Sequence, residues 1–128
     1  MLGLAVAVFL VLHGLVHLWY VILSQRWVEV EDAMGWNGQS WLLSDLLAEG
    51  TILSLASVLY VLVAVAFLAG GVGYGLSRDW ATPVLVGAAV LSTVVLVVMW
   101  DGRFDLLVEK GVVGVAINVA VVALLVFR

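Results

Sequence analysis

The chain has 128 residues, of which 66% are hydrophobic and 11% are charged, whereas a soluble domain carries about a quarter charged residues. The net charge of −4, with a single lysine, leaves no basic patch and excludes nucleic acid as a partner. The absence of cysteine excludes disulfides, thiolate metal sites and cysteine nucleophiles. The composition is that of an integral membrane protein in contact with a lipid bilayer.

Four apolar runs are long enough, at roughly 20 residues each, to cross a ~30 Å hydrocarbon core. They cover residues 2–24, 51–71, 83–100 and 111–127. The first run has neither the basic residues nor the small-residue cleavage site of a secretory signal, so we expect it to be retained. The sequence predicts an all-α transmembrane four-helix bundle with up-down-up-down topology, as one domain over residues 1–128.

The connections between these runs differ in character. Residues 25–50 are acidic, and residues 40–49 place Asp45 and Glu49 on one helical face. This pattern predicts a short interfacial helix or an extension of the second span, with a bend at Gly50. Residues 69–79 are rich in glycine and predict a flexible turn between the second and third spans. Thr82 and Pro83 suit the cap and first position of the third helix.

Charge is distributed unevenly over the two sides of the predicted bundle. The side with the first and third connections carries three basic and eight acidic residues, and the other side carries two basic and one acidic. Lysine and arginine set the orientation of a membrane protein, and three of them against two plus the amino terminus give no decision. We expect both termini on the cytoplasmic side of the cell membrane.

His13 and His17 stand four residues apart in the first span. They share one helical stripe with Gly3, Tyr20 and Ser24, and a stripe of polar and small residues faces protein and not lipid. Polar partners occur on the other three spans, at Tyr60, Ser92, Thr93 and Asn118. The predicted intramembrane polar cluster consists of His13, His17, Tyr20 and Asn118.

A second candidate site lies where the first and third spans reach the acidic side, at "MWDGRFD", residues 99–105. We expect His17 to meet Asp101 and Arg103 there in one polar pocket. The other acidic residues assigned to this pocket are Asp45, Glu49 and Asp105. Arg103 would anchor an anionic solute or a lipid headgroup. In the alternative interpretation the charges form an interfacial salt-bridge cluster that contributes at most ~1 kcal/mol per exposed pair.

These residues resemble an uncharacterised family of small four-span bacterial and archaeal membrane proteins, loosely described as permease-like. The family has HG-[LI]-[IV]-HL in helix one, a serine late in helix three, W-x-D-A-K-F-G at its end and an asparagine in helix four. The matching positions are His13, Gly14, His17, Ser92, Trp100, Asp101, Arg103, Phe104 and Asn118. Here Trp100 directly precedes Asp101, arginine replaces the family's lysine, Asp105 replaces glycine, and residues 25–50 lie outside the resemblance. The resemblance implies four spans and a permease-like role.

Several roles remain open for the two histidines. Their spacing allows both to ligate one metal ion, which Asp45, Glu49 or Asp101 would have to complete. Haem would need a dimer or Met99 for its second ligand, because two histidines one turn apart on one helix cannot sandwich an iron. Alternatively the imidazoles fix the packing of the helices, relay protons or bind a solute. We expect no cofactor.

Enzyme chemistry receives little support, because the chain has no G-x-S-x-G motif and no glycine-rich phosphate loop. The leading hypothesis is a permease-like or proton-coupled carrier of a small solute. We expect it to be oligomeric, because four short helices hardly enclose a pathway. The alternatives are an accessory or scaffolding subunit that docks on a larger membrane complex through small-residue faces, and a histidine-based metal-binding membrane protein.

Overall fold

The computed structural model describes residues 2–127, which form four α-helices and one short 3-10 helix and contain no strand. The helices are α1 (Leu2–Ser24), α2 (Glu49–Gly75), α3 (Ala81–Val98) and α4 (Val112–Val126), and the 3-10 helix is Asp32–Met34. The all-α prediction is confirmed. α1, α2 and α3 are long and apolar enough to cross a membrane, which indicates an integral membrane protein.

α4 differs from the predicted fourth span in its length. It is apolar but has only 15 residues, which at 1.5 Å per residue is about 22 Å and less than the hydrocarbon thickness. Three of the four predicted helices are therefore long enough to span the membrane.

The helices pack in chain order, α1 against α2, α2 against α3 and α3 against α4. Glycine permits the closest approach of α1 to α2, because a Cβ on Gly14 would lie 2.6 Å from Cβ of Phe67. Gly70 has the same role toward Leu85 of α3. α2 therefore continues through the glycine-rich stretch to Gly75, and the turn predicted over residues 69–79 begins only at Leu76.

The core has two apolar layers, separated along the bundle axis. One layer, toward the long first connection, contains Tyr20, Tyr60 and Val95. The other contains Leu10 and Phe67, with Leu85 of α3 and Val121 of α4. Four buried polar residues of the helices lie between these layers, namely His13, His17, Ser92 and Asn118, whereas Ser24 and Ser57 are buried beside the first layer.

The segment before α2 is not the interfacial helix that the sequence predicts. Residues 41–46 form successive turns with isolated helical bonds, such as Ser44 N–H to the Ser40 carbonyl at 3.1 Å and Leu47 N–H to the Leu43 carbonyl at 2.8 Å. α2 begins at Glu49, so Gly50 lies within the helix and is not a bend.

The reason for this difference lies in the carboxyl end of α3, whose last carbonyls have no partners within the helix. The Ser40 hydroxyl donates to the Val98 carbonyl, and the Trp41 indole N–H donates to the Val97 carbonyl at 2.6 Å. The Trp41 backbone N–H donates to the Trp100 carbonyl at 2.7 Å. Residues 40 and 41 are held by these contacts with α3, and the segment does not continue as a regular helix.

Indole groups also hold each of the two connections at this end of the bundle. Trp19 donates to the Met34 carbonyl at 2.7 Å, and Trp100 donates to the Arg103 carbonyl at 2.8 Å. Gly35, with φ of +109°, lies directly against the Glu109 carbonyl and leaves no room for a side chain. Tryptophans that donate hydrogen bonds at the ends of apolar helices are typical of a membrane interface.

Candidate functional site

His13 and His17 lie inside the bundle, 6% and 3% exposed, with hydrogen bonds to groups on other helices. Nε2 of His13 lies 2.8 Å from Oδ1 of Asn118 on α4, and Nε2 of His17 lies 2.6 Å from the hydroxyl oxygen of Ser92 on α3. The Asn118 amide nitrogen lies 2.9 Å from the same Ser92 oxygen. We call His13, His17, Ser92 and Asn118 the polar ring. The inward orientation predicted for both imidazoles is confirmed.

Thr93 fixes the orientation of the Asn118 amide and, through it, the proton of His13. Its hydroxyl donates its single proton to the Ala89 carbonyl at 2.9 Å, so toward Asn118 it can only accept. The Asn118 NH₂ group must therefore face Thr93, at 3.1 Å, as well as Ser92. Oδ1 then faces His13, and the proton of His13 is on Nε2.

The tautomer of His17 is fixed by a backbone carbonyl. Its Nδ1 lies 2.9 Å from the His13 carbonyl, which can only accept, so this nitrogen carries the proton. Nε2 of the neutral ring is then an acceptor, and the Ser92 hydroxyl donates to it. The polar ring is therefore fully consistent with two neutral imidazoles.

This proton arrangement restricts what the polar ring can do. The Asn118 amide joins the two histidines but cannot take up and release a proton as a hydroxyl or imidazole can, so the ring is not a continuous proton wire.

Phe67 of α2 packs against both imidazoles, with ring centroids 4.8 Å from His13 and 5.5 Å from His17. The two rings are thereby held in one orientation.

Tyr20 does not belong to this ring, although the sequence assigned it to the cluster. Its hydroxyl donates to the Glu109 carbonyl at 3.2 Å, and its ring stacks on Tyr60 with centroids 4.8 Å apart. The cluster predicted from sequence also lacked Ser92, which bonds to both His17 and Asn118. Two signals for this serine were available, its place among the polar residues of the third span and the motif that the sequence resembles.

Among the side chains that the structure describes, those of residues 2–31 and 33–127, no group of three His, Cys, Asp or Glu is placed to hold a metal ion. Two of the three carboxylates that could complete a site with the histidines form ion pairs elsewhere, Glu49 with Arg26 at 3.0 Å and Asp101 with Lys110 at 3.0 Å. Nε2 of each imidazole is bonded within the polar ring.

A groove between α1 and α4 runs past the polar ring. One cavity of about 550 Å³ is bordered by His13, His17 and Gly114 and extends to Glu109. A second cavity of about 710 Å³ continues toward the amino terminus of α1 between Leu10 and Val121. We call the two cavities together the α1–α4 groove. Its walls are almost entirely apolar.

The acidic-end pocket predicted from sequence does not form as one site. Asp45, Glu49 and Asp101 line one polar cavity of about 540 Å³. His17 is directed to Ser92 instead, and Arg103 pairs with Asp105 at 3.1 Å on the surface. The expected contact of His17 with Asp101 and Arg103 is wrong, because a lysine of the same connection pairs with Asp101 and His17 bonds to Ser92.

That lysine, Lys110, is a residue that the sequence interpretation missed. Its Nζ lies 3.0 Å from Asp101 and 3.2 Å from Asp105, with the Lys110 and Asp101 side chains only 8% and 9% exposed. Burial lowers the pKa of Lys110, but its hydrogen bonds with the two carboxylates outweigh burial and raise that pKa. The hydrogen bond from Lys110 holds the pKa of Asp105 below its ordinary value.

We expect Lys110→Met to lower the free energy of unfolding by about 2 kcal/mol, because it leaves the covered Asp101 carboxylate without its cation. Arg103→Gln is the matched control in the same connection, and its effect should be small because the Arg103 side chain is 63% exposed. Chemical unfolding in detergent micelles measures both.

The ion pair of Lys110 with Asp105 sets an expected dependence of stability on pH. Because the pKa of Asp105 is lowered, its ionised form contributes stability at pH above the ordinary pKa of an aspartate, and this contribution is lost as the pH falls through the lowered pKa. Because the pKa of Lys110 is raised, its charged form contributes stability at pH below the ordinary pKa of a lysine, and this contribution is lost as the pH rises through the raised pKa. The difference between wild type and Lys110→Met should therefore be constant between roughly pH 5 and pH 10. Equal stability of the Lys110 and Arg103 variants would contradict the structural role of this lysine.

In comparisons with known proteins, the chain matches no family model, no curated protein and no solved structure.

Proposed function

We propose that the protein is a small permease-like membrane carrier whose solute occupies the α1–α4 groove. One observation carries this proposal: two intramembrane histidines, His13 and His17, border a groove that extends to Glu109 on the acidic side. Ionisable side chains are expensive inside a membrane and typically mark solute or ion pathways. The resemblance of the histidine motif to a permease-like family supports the same role.

Coupling to protons is the finer part of the proposal. Histidine is the side chain whose charge changes most readily near neutral pH. The polar ring accommodates both imidazoles in the neutral form, so a proton taken up there would change the charge beside the groove. Because the Asn118 amide interrupts proton transfer, His13 and His17 would be charged individually and not as one relay.

The α1–α4 groove also bears on assembly. Val16 and Val113 line it and are 61% and 49% exposed, so the groove opens at the side of the bundle and not only at its end. A pathway closed to lipid then needs a further surface, and we propose that a second copy of the chain supplies it. We propose, as before, that both termini lie on the cytoplasmic side.

The test is transport by purified protein in liposomes. A panel of small apolar and amphiphilic solutes is first screened for a rise in melting temperature, since a bound solute stabilises the folded state. We expect the stabilising solutes to enter protein-containing liposomes faster than empty ones, with a change in internal pH reported by an enclosed dye. Gly114→Leu, which fills the groove, should abolish uptake.

An accessory subunit is the second candidate, because the open groove also suits a helix of a partner protein. The small-residue faces expected to dock on that partner are less available, since Gly14, Gly70 and Gly71 are occupied by neighbouring helices of the same bundle. If no solute stabilises or crosses, and a co-purifying membrane protein raises the melting temperature, the carrier proposal is overturned in favour of this one.

A further inference from the structure

We infer that the α1–α4 groove binds an uncharged apolar molecule that bears one hydrogen-bond donor, a hydroxyl group, and that the donor is received by Nδ1 of His13. The inference rests on the proposed function, for which it names the class of solute. It depends on the protons of the polar ring, on the accessibility of one nitrogen atom and on the walls of the groove.

The proton on Nε2 of His13 leaves a lone pair on Nδ1 of the neutral imidazole. Within the part of the chain that the structure describes, Nδ1 has no hydrogen-bond partner, whereas both nitrogens of His17 are bonded. A ligand at this atom must therefore donate. A molecule with acceptors alone would place two lone pairs against each other.

Nδ1 of His13 is also reachable. Among the described side chains of residues 2–31 and 33–127, no fully buried nitrogen or oxygen lacks a hydrogen bond, so the unpartnered Nδ1 retains accessible surface although His13 is only 6% exposed. The 550 Å³ cavity of the groove is bordered by this residue. An acceptor in an apolar cavity favours a ligand that brings the missing donor, because an unsatisfied polar group in such surroundings costs free energy.

The groove walls define the rest of the ligand. The Phe9 ring lies parallel to the His13 imidazole, with 1° between the planes and 6.3 Å between centroids, and Ile117 and Gly114 face them from α4. Flat apolar walls suit an aromatic or aliphatic body. A free cation is disfavoured, since the walls offer it almost no polar surface and no second and third ligand.

Three probes of nearly equal shape test the donor requirement in nanodiscs: 2-naphthol, its methyl ether 2-methoxynaphthalene, and naphthalene. We expect 2-naphthol to bind about tenfold more tightly than the other two, the factor that corresponds to ~1.4 kcal/mol for one hydrogen bond. With only two histidines in the chain, ¹⁵N-histidine NMR resolves each ring. The unprotonated nitrogen of His13 should shift upfield with 2-naphthol alone.

Variants separate the site from general partitioning into lipid. Gly114→Leu adds a side chain at the groove and should weaken 2-naphthol binding at least tenfold. Its matched control, Gly87→Leu, is on α3 with open space around its Cβ position and should not change binding. His13→Phe keeps an aromatic ring without the acceptor and should remove the preference for 2-naphthol over its ether.

Equal binding of 2-naphthol and its methyl ether, no shift at His13, no binding of any probe, or no effect of Gly114→Leu would overturn the inference. These outcomes are distinct from failure of the proposed function. Specific 2-naphthol binding without uptake of any solute by liposomes would leave the site standing and overturn the carrier. Solute uptake together with equal binding of 2-naphthol and its methyl ether would support the carrier and overturn the hydroxyl-binding site.

Discussion

Replacing Gly14 by alanine is expected to lower the free energy of unfolding by about 1–3 kcal/mol, the usual range for overpacking a well-packed interior. The added Cβ would lie 2.6 Å from Cβ of Phe67 and 3.2 Å from the Ala64 carbonyl. Neither neighbour is the movable end of a flexible side chain, so α1 and α2 must separate. Because Phe67 packs on both imidazoles, this separation also disturbs the polar ring.

Gly87→Ala in the middle of α3 is the matched control, since nothing lies within 4 Å of its Cβ position. Both substitutions gain the same helix propensity, so that gain cancels from the comparison. Denaturant unfolding in mixed micelles measures the two variants, with the ¹⁵N signals of the histidines as a second readout. If Gly14→Ala is as stable as Gly87→Ala, the close approach of α1 to α2 is not what holds the bundle together.

The sequence was sufficient to predict the helices because their length and hydropathy are dictated by the membrane. α1 covers the predicted residues 2–24, and the other helices differ from prediction mainly at their ends. The largest difference is in α2, which includes the glycines up to Gly75. Glycine is normally a weak helix former, but Gly70 and Gly71 gain close contacts with α3 and α1, and that tertiary packing overrides propensity.

The loop structure at the acidic end could not be predicted from local sequence. Residues 40–49 have a helical pattern, but Ser40 and Trp41 satisfy carbonyls of α3 that are nearly 60 residues away in the chain. Contacts of that separation leave no periodic signal. The pairing of Asp101 with Lys110 was missed because it depends on how the third connection folds back on itself.

The candidate site was predictable in part. The polar stripe of α1 was sufficient to orient His13 and His17 inward, because helical periodicity fixes which side chains share a face. It could not decide which of several polar groups each imidazole meets. That choice depends on the relative rotation and translation of α1, α3 and α4, which placed Asn118 and Ser92 beside the histidines and left Tyr20 one turn away with Tyr60.

Asn118→Leu is expected to lower the free energy of unfolding by about 2 kcal/mol, since it removes three interhelical hydrogen bonds at ~0.6 kcal/mol each and replaces the amide by an apolar group of similar size. Thr93→Val is the control, because it removes one of those three bonds and leaves the polar ring closed. Its cost should be below about 1 kcal/mol.

A double-mutant cycle with His13→Phe then tests whether the polar ring is one unit. Asn118→Leu alone leaves the His13 Nε2 proton without an acceptor, so in that background His13→Phe should cost less than in the wild type, or even restore stability. Unfolding in micelles gives the four free energies of the cycle. Additive effects would mean that the two residues stabilise the bundle independently, and that the proton arrangement derived from Thr93 does not govern His13.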